Sequence, residues 1–171
     1  SGLLKTSAQY EHGLLVGEKS QYNANGKLQY TIHYSINEVK GTKVSVKNGI
    51  YKSFNNNGSV ASHILYKEDK KDGKCLEYHA TGILRKSAVY KEDKLHGEVL
   101  DFYENGIPER SAIYYESIQV GDTTLRNIYD GEKTQYYKSG MIQSKEIYAM
   151  GQKTGTWERF YEGTGLLQER T

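Results

Sequence analysis

Glycine returns along this chain on a fixed count, and the residues between the glycines keep one order. With Gly73 as place zero, Tyr78 stands at place five, Gly82 at nine, Leu84 at eleven and Tyr90 at seventeen. Gly97 then reopens the count at twenty-four. The same template runs from Gly17 (Tyr22, Gly26, Leu28, Tyr34) and from Gly49 (Phe54, Gly58, Val60, Tyr66). It runs again from Gly97 (Phe102, Gly106, Tyr114) and from Gly131 (Tyr136, Gly140, Ile142, Tyr148). From Gly155, with Trp157 at place two, it gives Phe160, and one extra residue moves the second glycine to Gly165. A repeat of this length is one supersecondary unit that buries its apolar side only against its neighbours.

The template reads all 171 residues as a single array, with units opening at 17, 49, 73, 97, 131 and 155. Residues 1–16 read as the second half of a unit, because Tyr10 precedes Gly17 by the seven residues that separate Tyr66 from Gly73. The other reading of this stretch is an expression scar, Ser1-Gly2, followed by coincidence. Two departures interrupt the count: extra residues at 41–48, before Gly49, and at 121–130, before Gly131.

Each unit reads as a β-hairpin. The second glycine follows Asn, Ser or Thr, as in Asn-Ala-Asn-Gly (23–26) and Tyr-Glu-Asn-Gly (103–106). Asn-Gly between two short runs is a strong hairpin signal, because the turn needs a positive φ. The conserved places do not follow a helical spacing near 3.6 residues. With a turn centred near place eight, odd places on both strands fall on one side. That predicts a rib of places five, eleven, fifteen and seventeen on one face. Place two (Tyr51, Cys75, Val99, Trp157) and place sixteen (Leu65, Val89, Ile113, Ile147) then share the other. The chain holds 16 Tyr, a residue with large apolar area and a polar tip, which suits a thin structure whose core is never far from water.

This pattern resembles the MORN repeat, and more closely the variant MORN repeat of bacterial YwqK-type antitoxin proteins. Gly155-Thr-Trp-Glu-Arg-Phe-Tyr161 and Gly73-Lys-Cys-Leu-Glu-Tyr78 carry the resemblance best. It implies an all-β fold, an elongated single-layer antiparallel meander of stacked hairpins. It implies much less about function, since such repeats are scaffolds on many proteins. It points to a non-catalytic protein–protein interaction module, an antitoxin or immunity protein that binds and occludes a toxin domain. The alternatives are a structural or envelope-associated scaffold and a lipid-binding module.

The residues themselves offer no catalytic, cofactor or metal constellation. His12, His33, His63, His79 and His96 occupy different places in the repeat, and none stands at metal-ligand spacing from Cys75 or another His. The glycines are repeat punctuation rather than a phosphate loop. A net charge of +2 gives no field that selects nucleic acid. Membrane binding is disfavoured too, because no basic amphipathic helix is present. One cysteine fits a reducing compartment and fits the cell envelope after removal of a leader equally well.

Charge is nonetheless uneven. Residues 40–94 carry 12 Lys and Arg against 6 Asp and Glu, whereas 98–132 carry 2 against 8. Glu98, Asp101, Glu104, Glu109, Glu116, Asp122, Asp130 and Glu132 are therefore candidate partner-binding residues, an acidic surface that would steer a basic toxin domain. The expected structural residues are the repeat positions: Gly49, Phe54, Gly58, Tyr66, Gly73, Tyr78, Gly82, Tyr90, Gly97, Phe102, Gly106, Tyr114, Gly131, Tyr136, Gly140, Tyr148, Gly155 and Trp157.

Overall fold

The structure, a computed structural model, describes residues 2–120 and 123–171, with the backbone alone for 115–120 and 123–127. Fourteen strands follow one another: β1 (Thr6–Glu11), β2 (Leu14–Tyr22), β3 (Leu28–Val39), β4 (Thr42–Phe54), β5 (Val60–Lys67), β6 (Lys70–Tyr78), β7 (Leu84–Lys91), β8 (Lys94–Phe102), β9 (Pro108–Val120), β10 (Thr123–Tyr129), β11 (Gly131–Tyr136), β12 (Ile142–Ala149), β13 (Gln152–Phe160) and β14 (Leu167–Arg170). They form one antiparallel sheet in chain order, except that β10 and β11 share the side of β9. The sheet is an open meander, and no helix occurs among the described residues.

The hairpins with tips at Gly26, Gly58, Gly82, Gly106 and Gly140 close in the same way. Asn23 N–H donates to Lys27 O at 2.8 Å, and Gly26 N–H donates to Asn23 O at 3.0 Å. Gly26, with φ +76°, takes the left-handed step that the three-residue loop requires. Equivalent bonds close the tips at Gly58, Gly82, Gly106 and Gly140. At the opposite edge, units join through two-residue turns such as Glu68-Asp69 (φ 50° and 66°) and Glu92-Asp93 (φ 48° and 68°). A side-chain residue at positive φ costs about 1–2 kcal/mol. Asp69 offsets this by bonding the neighbouring strand twice: its N–H donates to Lys47 O, and its carboxylate accepts from Lys47 N–H, both at 2.9 Å.

The face assignment differs from the expected one. Near the tip, place five pairs with place eleven, as in Tyr78↔Leu84. One step further, place four pairs with place thirteen, as in Glu77↔Lys86, so place twelve (here Arg85) is a bulge. The same shift occurs in the hairpins opening at Gly17, Gly49, Gly97 and Gly131. A single extra residue on one strand exchanges the faces of everything beyond it. Place two therefore lies opposite place fifteen, not with sixteen, and sixteen lies opposite place one. By strand alternation, places five and eleven fall on the side of place sixteen. The expected common rib of five, eleven, fifteen and seventeen is thus split between the two faces.

The core follows from this register. Ile32, Tyr51, Ile64, Cys75, Ala88, Val99 and Ala112 stand opposite one another in turn across β3 to β9. Ala88, Val99 and Ala112 are each 1% exposed, although the sheet has no second layer of strands over them. Tyr90, Leu95, Tyr114 and Tyr129 cover them. Small side chains in the row leave room for the closing tyrosines to lie across it. Tyr66 and Tyr90, two residues beyond Ile64 and Ala88 on their strands, share this tyrosine face. Ring pairs continue along it, Tyr51–Tyr66 with centroids 6.4 Å apart and Tyr129–Tyr148 at 5.4 Å. Lys47 and Lys71 sit over the rings of Tyr66 and Tyr90 at 5.3 and 5.1 Å. Burial raises the phenol pKa of Tyr66 and Tyr90 and, together with a hydrogen bond to Tyr129, that of Tyr114. These three rings are therefore uncharged at neutral pH.

Where the apolar row reaches β11 and β12, charge replaces it. Place fifteen of that unit is Glu146 and place two is Lys133, joined at 3.0 Å. Lys153 Nζ lies 3.0 Å from the same carboxylate, and the Tyr148 hydroxyl donates to it at 3.1 Å. Burial opposes the charge, but these donors prevail and bring the Glu146 pKa from 4.5 down to about 2. A depressed carboxyl pKa adds stability that is complete above the unfolded value of 4.5 and is lost as pH falls toward 2. Glu146→Gln is accordingly expected to flatten the acid limb. Its urea midpoint should change less than that of the parent protein between about pH 5 and about pH 2.5.

Candidate interaction face

The face opposite the tyrosines is built from place sixteen outward. Leu65, Val89, Ile113 and Ile147 occupy that place on β5, β7, β9 and β12. Ile50, opposite Leu65 on β4, joins them. All five are large aliphatic residues that remain 38–44% exposed. Successive members from Leu65 to Ile147 lie two strands apart, so the row crosses about 29 Å of the sheet. Isolated exposed aliphatics are ordinary, but from Leu65 to Ile147 they recur on every second strand of one face, alternating with the charged residues Lys74, Glu98 and Glu132, and such a mixed row is suited to contact.

The glycine at place zero lets this row form. Between units, the strand that carries Gly73 has three residues, Asp72 to Lys74, against Leu65 alone. Gly73 adopts φ +113°, and a Cβ there would lie 2.7 Å from Leu65 Cδ2. Gly49 meets His33 Cβ at 3.1 Å and Gly131 meets Ile113 Cδ1 at 3.6 Å, each side chain standing at place sixteen of the preceding unit. At Gly73, Gly131 and Gly155 the opening glycine is thus a seat for the aliphatic residue of the neighbouring hairpin, whereas at Gly97 nothing lies within 4 Å.

Charged groups alternate with the aliphatic residues along the row. Glu98 stands opposite Ile113, Glu132 opposite Ile147 and Lys74 opposite Val89. Glu132 accepts from the Thr134 hydroxyl at 2.6 Å and lies 3.9 Å from Lys145 Nζ.

Of the eight expected acidic residues, only Glu98 and Glu132 are placed beside the aliphatic row. Asp101 lies on the tyrosine face, where Arg110 Nε donates to it at 2.9 Å across the strands. Glu109, the bulge residue at place twelve, lies near Asp101 and Arg110. Glu104 is exposed at a hairpin tip, 4.0 Å from His79. Asp130 joins β10 to β11, its N–H donating to Ile113 O at 3.2 Å. The Glu116 side chain and Asp122 lie outside the described residues. The structure does not gather the described members into one face. Sequence adjacency on a strand alternates sides, and charge counted along the chain does not register that.

Histidine and cysteine take structural places. His79 Nε2 lies 2.9 Å from Phe102 O, and Tyr103 and Tyr137, at the same place in later units, donate to Tyr136 O and Phe160 O at 2.8 and 2.9 Å. Cys75 is buried, and that burial raises its thiol pKa, so little reactive thiolate forms. Among the described residues, no group of His, Cys, Asp and Glu is arranged to hold a metal ion.

A family model described as the MORN repeat variant matches the chain five times, at residues 15–35, 47–68, 71–92, 95–117 and 129–149. Each match spans one hairpin with its opening glycine and the closing tyrosine paired to it, as in Gly49↔Tyr66 and Gly97↔Tyr114. The matches cover well over half of the chain, and the protein belongs to the MORN repeat variant family. Repeats of this family commonly serve as modules for protein or membrane interaction. A comparison with curated proteins finds no match.

Proposed function

We propose that the chain is a non-catalytic interaction module that docks a partner protein on its aliphatic face, and that it acts as an antitoxin or immunity protein by occluding a toxin domain. The observation that carries this reading is the row of Ile50, Leu65, Val89, Ile113 and Ile147, exposed together on one side of a rigid sheet. An extended, shallow face of this kind blocks a surface rather than enclosing a substrate. Aliphatic residues take the anchoring role, because the closing tyrosines Tyr34, Tyr66, Tyr90, Tyr114 and Tyr148 are half-buried or buried on the other side. Glu98 and Glu132 stand among the aliphatic residues and favour a partner with basic groups beside its apolar ones, and the acidic stretch 98–132 adds long-range attraction.

The test begins with capture of partners from the native host by the tagged protein. Binding of the purified partner is then measured with variants. Leu65→Lys with Ile113→Lys should weaken affinity by roughly 30-fold or more, as loss of central anchors does. Glu98→Lys with Glu132→Lys should slow association, and added salt should shrink that effect. A partner that binds the Leu65/Ile113 variant as tightly as the parent protein sinks the proposal. So does a parent protein that floats with anionic vesicles and captures no protein.

A further inference from the structure

The eight residues that lengthen the β3–β4 hairpin build an arm with an open edge. In regular units two pairs close the turn, as in Tyr66↔Lys71 and Lys67↔Lys70. Here the equivalent pair Tyr34↔Lys47 is followed by five more, out to Val39↔Thr42. The arm therefore projects about 13 Å beyond the neighbouring turns. Thr42–Val46 has β3 on one side. On the other side β4 meets β5 only from Gly49 onward, and the neighbouring turn reaches no further than Lys47.

The direction of the free main-chain groups follows from Lys47. Its N–H and C=O both turn away from β3, to Asp69. The two-residue period of a strand aims the N–H and C=O of Ser45 and Lys43 the same way. These four groups point into a notch above the β5–β6 and β7–β8 turns, which spans about 19 Å, the width of four strands, before the extension of β9.

We infer that this edge pairs with the same edge of a second copy, giving a two-fold antiparallel dimer. The sequence Thr42-Lys-Val-Ser-Val46 is self-complementary in that arrangement. With the axis at Val44, each Lys43 lies opposite the second copy's Ser45, and each Thr42 opposite the second copy's Val46. No lysine meets a lysine, and the outward N–H and C=O groups of Ser45 and Lys43 pair with their counterparts. Val44 and Val46 point to the aliphatic side, where Val46 is buried and Val44 half-buried. A dimer thus joins two short apolar rows across the axis. An incoming arm is two strands wide, about 10 Å, narrower than the notch, and its Lys40-Gly41 turn, level with Lys47 in this register, meets the Glu68-Asp69 turn at the notch floor. A foreign extended segment would satisfy the same main-chain groups. The self-matching register favours the second copy, because a two-fold contact requires one patch to complement itself.

The experiment is sedimentation over a concentration series, with two point variants and a cysteine probe. The parent protein should dimerise. Ser45→Pro removes an outward N–H that β3 does not use, and Val44→Lys sets two charges against each other on the axis; each should leave a monomer whose melting curve matches that of the parent protein at concentrations too low for dimerisation. Val44→Cys sits at the close, non-hydrogen-bonded pair on the axis and should form an intermolecular disulfide on mild oxidation, whereas Lys43→Cys should not. The buried Cys75 is the background control. If Ser45→Pro fails to fold, the Val44→Lys and cysteine results decide. A parent protein that stays monomeric, or a Val44→Lys variant that still dimerises, overturns the inference. Dimerisation and docking on the aliphatic row use different residues, so either can fail without the other.

Discussion

Val99→Asp is expected to unfold the middle of the sheet. Val99 is 1% exposed and stands between Ala88 and Ala112 on the two neighbouring strands, with Tyr114 and Tyr90 packed around the cluster. A carboxylate there loses its water and finds aliphatic neighbours on both sides. The expected cost is about 4 kcal/mol or more, which is a large part of the stability of a domain of this size. Arg110 does not relieve it, being already committed to Asp101. In an array, each hairpin is stabilised by its neighbours. Loss of amide-exchange protection should therefore centre on β7, β8 and β9 and fade toward β2 and β3. The comparison is Ile147→Asp, on the opposite face and 42% exposed. It should cost less than about 1 kcal/mol, the usual range for an exposed site. Equal costs for the two variants would contradict the face assignment.

The second large effect belongs to Gly73→Val. Two penalties coincide at this position. A β-branched residue at φ +113° is a backbone outlier, worth about 1–3 kcal/mol. Its Cβ would also meet Leu65 Cδ2 at 2.7 Å; that atom is the free end of a side chain that is 40% exposed and can turn aside, for a further cost of about 0.5–1.5 kcal/mol. Gly58→Val separates the terms: Gly58 has φ +88° and open space around its missing Cβ, so only the backbone penalty applies. Urea denaturation of both should place Gly73→Val clearly below Gly58→Val. A variant at Gly73 no worse than its counterpart at Gly58 would mean that the seat for Leu65 is unimportant.

The period, the hairpins and the single meander were legible in the sequence because turns announce themselves chemically. Asn25-Gly26 and Asn57-Gly58 need a left-handed residue, and glycine supplies it. The two faces were not legible, and the reason is one residue per hairpin. Gln29, Ala61, Arg85, Glu109 and Gln143 hold the bulge, yet they share no side-chain chemistry that would mark it. Counting alternation through them inverts everything beyond. As a result, Leu65, Val89, Ile113 and Ile147 were recognised as a set but grouped with Cys75 and Val99, which are buried on the other side. The replacement of the apolar row by Glu146 and Lys133 escaped the template for a related reason. A cross-strand ion pair fills the same space as two aliphatic residues, but only pairing reveals that the charges meet.

The two long edges of the sheet are not equivalent, and this limits how such a chain can grow. At the glycine tips each loop is held by the previous one: Tyr103 and Tyr137 reach the next unit's backbone, and the Asn57 and Asn105 amides donate to Ala80 O and Lys138 O. A residue added at the tips from Gly26 to Gly140 would break a contact repeated along that side; the extra residue on this margin lies at the β13–β14 tip. At the other edge, both lengthened hairpins gain residues symmetrically, four on each strand of the first and five on each of the second. Growth by matched pairs leaves every existing partner in place. The long insertions are thereby channelled to one margin, which can acquire new appendages while the opposite one, one residue longer at the β13–β14 tip alone among the described units, keeps the modules in step.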